Sequence, residues 1–65
     1  MKVHIKVVDG YNVLTKEIIP LEEYDKIESV IKKLIHKKKT FYVMLFDVNG
    51  LCKDMMKFEK GKRQF

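Results

Sequence analysis

Only one stretch of this chain carries the period of a helix, and it lies between two stretches that carry the period of a strand. Tyr24, Ile27, Ile31 and Leu34 recur at spacings of three and four, joined by Val30 and Ile35. That spacing predicts an amphipathic helix of about four to five turns. Pro20 stops the preceding strand and can open the helix, because the first helical N–H needs no partner. Glu22, Glu23 and Asp25 fall in its first turns and Lys32, Lys33, Lys37 and Lys38 in its last, so both ends complement the helix dipole. Glu22–Lys26 and Glu28–Lys32 stand at the i,i+4 spacing that favours ion pairs. A single apolar stripe must be buried against something, and the flanks offer a sheet.

In the first flank Val3, Ile5 and Val7 alternate with Lys2, His4 and Lys6, the pattern of a half-buried strand. Asp9-Gly10 follows, a preferred pair for a type I′ turn. A two-residue turn there sets Val8 opposite Tyr11 and Ile5 opposite Leu14, so that Leu14 and Ile18 join Val3, Ile5 and Val7 on one face. The second flank, Thr40 to Val48, is the most β-prone segment, and Asn49-Gly50 is its turn signal. Leu51 to Glu59 returns, with Val48 opposite Leu51, Phe46 opposite Lys53, Met44 opposite Met55 and Phe41 opposite Phe58. The expected class is α+β: a four-stranded, mainly antiparallel sheet from two hairpins with one helix across one face (ββαββ). Residues 1–59 form the single domain, and residues 60–65 a basic, frayed tail.

The chain has 65 residues, too few for a second domain. A core of that size contributes no more than ~3–5 kcal/mol of net stability, and such chains often lean on disulfides, a metal or a partner. Cys52 is the only cysteine, so no internal disulfide can form. A lone thiol fits a reducing compartment. The alternating N-terminus lacks the apolar run of a signal peptide, and no stretch is long enough to span a membrane. The expectation is a cytoplasmic protein.

From Met1 to about Leu34 the chain resembles the opening of a ubiquitin-like β-grasp domain. A short hairpin around Asp9-Gly10, the Ile19-Pro20 exit, and a helix with Ile27, Val30 and Ile31 inward carry the likeness. The second half departs: it is one compact hairpin, with no later strand and no Gly-Gly tail, so the conjugation chemistry of that family does not carry over. The resemblance implies a hairpin–helix geometry and a non-catalytic, partner-binding style of function.

One helix covers one face of a sheet. With Phe41, Val43, Leu45, Met56 and Phe58 beneath it, the opposite face holds Tyr42, Met44, Phe46, Val48, Leu51 and Met55, with His4, Lys6, Tyr11, Val13, Lys53 and Lys57 around them. An uncovered face is ordinarily polar, and a contiguous patch of rings and thioethers marks a partner surface. Reversed faces, or a C-terminal tail folded back, would remove the patch. The anchors would be Tyr42, Met44, Phe46 and Met55, and Lys53 and Lys57 would be rim charges.

Lys plus Arg total 14 against nine acids, a net charge of +5. Lys32, Lys33, Lys37, Lys38 and Lys39 form one cluster; Lys60, Lys62 and Arg63, with Lys53 and Lys57, form another. Phosphate backbones attract such charge, and aromatics beside lysines can stack unpaired bases. Against this, lysines belong at a helix C-terminus on structural grounds, only one arginine is present, and the acids of the helix start repel nucleic acid.

Catalytic apparatus is missing from the pattern. His4, His36 and Cys52 are scattered, no zinc-ligand spacing occurs, and the glycines form no phosphate loop. A sheet with one helix leaves little concave volume for a substrate. No cofactor, metal or enzymatic activity is expected. The expected function is a small regulator or stoichiometric inhibitor that docks its apolar face on a larger protein or on a second copy of itself, of the kind a phage or mobile element encodes. The alternative is a small basic DNA- or RNA-binding protein using the same face. No membrane partner is expected.

Overall fold

The computed structural model describes all 65 residues. Strands β1 (Lys2–Asp9) and β2 (Asn12–Pro20) form the first hairpin, α1 (Tyr24–His36) follows, and β3 (Thr40–Phe46), β4 (Cys52–Glu59) and β5 (Lys62–Arg63) complete the chain. The five strands lie in the order β2-β1-β3-β4-β5, every neighbouring pair antiparallel. β2 and β3 therefore run parallel with β1 between them, and α1 crosses from one to the other over a single face. The α+β class holds, with five strands rather than four. The fifth comes from the residues expected to fray. Lys60 and Gly61, at φ +52° and +80°, turn the chain back so that Glu59 faces Lys62. Two left-handed residues in sequence make a type I′ turn. The Gln64 N–H then donates to the Lys57 carbonyl at 2.7 Å.

The core is Val3, Ile5 and Val7 of β1, Ile19 of β2, Ile27 of α1, Phe41 and Val43 of β3 and Phe58 of β4, with Val30, Ile31, Leu34, Leu45 and Met56 packed at its margin. Phe41 is fully buried and stacks on Phe58, ring centroids 4.6 Å apart and nearly parallel. These are the expected inward residues, with one exchange. Leu14 and Ile18 are expected inside, but both are about half exposed, and Ile19, at 1% exposure, takes the place under the helix.

The first hairpin departs from expectation twice, and the second departure causes the exchange. Asp9 pairs with Asn12, so the central residues are Gly10 and Tyr11. Only Gly10 needs positive φ (+61°) there, as in a type II′ turn, whereas a turn centred on Asp9-Gly10 would put Asp9 there too. Next, Val8 pairs with Val13 but Val7 with Thr15, leaving Leu14 as the extra residue of a bulge. One extra residue reverses the parity of everything after it. The second hairpin keeps the expected pairs from Phe41↔Phe58 to Met44↔Met55. The connection between the two strands runs from Asp47 to Leu51, longer than a two-residue turn, and a bulge at Lys53 shifts the pairing beside it, so Phe46 faces Cys52 and not Lys53. The Asp47 carboxylate organises that loop, its Oδ1 accepting from the N–H groups of Asn49 (2.9 Å) and Leu51 (3.0 Å).

The helix is shorter than its pattern, 13 residues, because Pro20 ends β2 rather than opening α1. The Leu21 N–H donates to the Met1 carbonyl and the Glu23 N–H to the Pro20 carbonyl, which closes a turn before the helix. Glu22 thus lies outside it, and of the two expected ion pairs only Glu28–Lys32 forms, at 2.8 Å. At the other end Lys38 adopts φ +53°, with Lys39 N–H donating to Leu34 O and Lys38 N–H to Ile35 O. That is a Schellman ending with lysine where glycine is usual.

Candidate functional site

Cross-strand partners share a face, so the register defines the side of the sheet that α1 leaves open. Three rows cross it from β2 to β4: Pro20, Lys2, Phe46 and Cys52; Ile18, His4, Met44 and Met55; Lys16, Lys6, Tyr42 and Lys57. Val8, Val13, Thr40, Glu59 and Lys62 continue it at one end. Tyr42, Met44 and Phe46 on the central strand β3 are half-buried by their neighbours, while Met55 is 43% exposed. The His4 ring lies 4.3 Å from the Phe46 ring, tilted, and Lys57 Nζ sits 5.7 Å from the Tyr42 ring centroid, within cation–π range.

The charge on this face is positive but for one carboxylate. Of the acids on strands, Asp9, Glu17 and Asp54 alternate toward the helix side, and Glu59 alone toward the open side. Lys2, Lys6, Lys16 and Lys57 all point to the open side, and Lys6 is directly opposite Lys16. Like charges facing each other across a ladder are destabilising by up to ~1 kcal/mol. His4 reports the same field: burial, then Lys16, Lys2 and Lys6, hold its pKa below the ordinary 6.5.

Of the residues expected on the open face, Tyr42, Met44, Phe46, Met55 and Lys57 lie there. Val48 and Leu51 do not: both lie in the Asp47–Leu51 connection past the strand ends, 87% and 60% exposed. Lys53 is the bulge residue, and its ammonium lies 3.5 Å from the Asp47 carboxylate. The backbone N–H of Leu51, with that of Asn49 and the Lys53 ammonium, holds the Asp47 carboxyl below its usual range. Lys2 joins them as the alternation of β1 requires, and Lys16, Ile18 and Cys52 share the face without having been expected there. The β2 residues among them depend on a bulge that leaves no trace in the alternation.

The lysine clusters have a different arrangement. Lys32 is engaged by Glu28 on the helix. Lys33 and Lys37 are exposed at its C-terminal end, and Lys38 and Lys39 turn the chain out of it. The Gly61 N–H donates to the Lys39 carbonyl at 3.0 Å, which brings Lys60, Lys62 and Arg63 to the same end of the molecule. Positive charge therefore extends from the Lys6, Lys16 and Lys57 row onto that end.

The helix side is not fully closed. A groove of about 360 Å³ opens between α1 and the β3–β4 hairpin, floored by Val43, Leu45 and Met56 and walled by Leu21, Tyr24 and Ile31. Concave volume is thus larger than expected, though apolar. No group of three or more His, Cys, Asp or Glu converges, and no helix is long and apolar enough to cross a membrane. No family model, curated protein or solved structure matches the chain.

Proposed function

We propose that this protein is a small, non-enzymatic binding module that acts by occupancy, docking a larger, negatively charged partner on the open face of its sheet. One observation carries the reading: a sheet face with Tyr42, Met44, Phe46 and Met55 at its centre, lysines on both sides, and a single carboxylate at its margin. A face that served only solubility would mix charges of both signs. The Lys6–Lys16 opposition is a cost to the free fold that an anionic partner relieves. A second copy of this chain is a poor occupant, since two such faces would repel.

The β2 edge is closed to strand addition as a route of contact. The β2 edge carries a bulge, Lys16 and a terminal Pro20, three devices that discourage pairing with another chain. Amide NMR spectra during titration with anionic polymers test the reading. Shifts should gather on β1, β3 and β4 at His4, Lys6, Tyr42, Met44 and Met55. Shifts confined to α1, or none with any polymer, would refute it.

A further inference from the structure

We infer that the partner of the open face is single-stranded nucleic acid; this rests on the reading of that face as the docking surface. The composition of the face separates a phosphate strand from an acidic protein. Lysine is depleted in protein–protein interfaces, yet Lys2, Lys6, Lys16 and Lys57 stand within or beside this one. Lysine binds phosphate as a point charge and needs no fixed geometry to do so. Tyr42, Phe46 and His4 offer rings to bases, and stacking on an aromatic face is indifferent to base identity.

Spacing supports the same occupant. Side chains two apart on one strand face recur every ~6.7 Å, about twice the ~3.4 Å rise per nucleotide of a stacked strand. Tyr42, Met44 and Phe46 are such a series on β3. A strand unstacked along β3 would therefore meet a separate platform at each base, with lysines of β1 and β4 flanking it. A duplex hides its base faces and cannot use those platforms. The basic end formed by Lys39, Lys60, Lys62 and Arg63 extends the phosphate track beyond the last ring. The acids at the helix start lie on the opposite side of the sheet, so they do not oppose a strand on this face.

Fluorescence anisotropy with a labelled oligothymidylate of about ten nucleotides tests the inference, since sites of this kind span ~4–16 nucleotides. A duplex of the same length and polyglutamate serve as comparison probes. The single strand should bind at least tenfold more tightly than either. Its log affinity should fall with log salt at a slope near −3, from ~0.7 for each of four phosphates. Tyr42→Ala and Phe46→Ala should each weaken binding about 5- to 150-fold with the slope unchanged. Because both rings are half-buried, their melting curves are compared with the parent. Lys6→Gln with Lys16→Gln, with its melting curve also compared with the parent, should flatten the slope by about 1.4. Equal or tighter binding of duplex or polyglutamate, with open-face amide shifts, would overturn the single-strand assignment and leave the docking face standing. No open-face response to any probe would overturn both.

Discussion

Gly61 joins the last turn of the chain to the end of the helix, and replacing it by alanine measures that junction. A Cβ at Gly61 would lie 2.7 Å from the Ile35 carbonyl oxygen and 3.2 Å from the Lys38 Cα, at φ +80°. Both neighbours are backbone atoms of the helix ending, so neither can rotate aside. Left-handed φ alone costs a residue with a Cβ ~1–2 kcal/mol. Relieving the close approach means separating β5 from α1 and giving up the Gly61 N–H bond to Lys39, worth about another 1 kcal/mol. The sum, about 2–3 kcal/mol, is a large share of the ~3–5 kcal/mol such a core supplies. Gly10 is the control: its φ is +61°, with nothing within 4 Å of an added Cβ. Thermal unfolding followed by circular dichroism should show Gly10→Ala lowering Tm by ~4–16 °C for its ~1–2 kcal/mol, and Gly61→Ala lowering it ~4–8 °C further for the additional ~1 kcal/mol. Melting of Gly61→Ala no lower than that of Gly10→Ala would refute the close approach, and with it the docking of β5 on the helix end.

Lys38→Gly should stabilise by about 0.5 kcal/mol in urea unfolding, because it removes a left-handed side chain at the helix ending and forfeits one favourable charge there. Ile19→Ala should cost ~2–5 kcal/mol while Ile18→Ala, one residue earlier and half exposed, costs under ~0.5, a contrast that urea midpoints read directly. Phe41→Ala should leave no cooperative transition, since ~3–5 kcal/mol equals the whole stability of the fold. The lowered pKa of His4 means the unfolded chain binds a proton that the folded chain resists. Stability should therefore be full above pH ~6.5 and fall as pH drops through and below that value, and Tm measured against pH should lose this slope in His4→Gln.

Much of this architecture is legible in the residues. The inward set on β1, β3 and β4 follows from alternation, and the β3–β4 register comes out as expected because a longer loop and a bulge at Lys53 cancel. The first hairpin lacks that cancellation. Gly10 takes the left-handed position alone, and the bulge at Leu14 shifts parity, so Ile18 and Ile19 exchange roles. Two adjacent isoleucines satisfy either register, and only the packing of α1 chooses between them. Pro20 is equally ambiguous, as it suits the end of an edge strand as well as the start of a helix. The fifth strand was illegible because Lys60-Gly61 is a weak turn signal amid basic residues, and its place is decided by the helix end it rests on. At the candidate site the rings and thioethers of β3 and β4 were readable from alternation. Lys6 and Lys57 were readable in the same way, but Lys16 was not, since its place beside Lys6 depends on the bulge at Leu14, which no local pattern records.

The bulge at Leu14 gives β2 one residue more than the strand it faces. Val13 and Thr15 already sit where consecutive positions of an uninterrupted ladder would. A chain lacking Leu14 can therefore close the gap while Asn12 keeps Asp9 and Ile19 keeps Val3. Removing a residue from the middle of a strand is ordinarily ruinous, yet here the excision would straighten the ribbon and leave its interior contacts as they are.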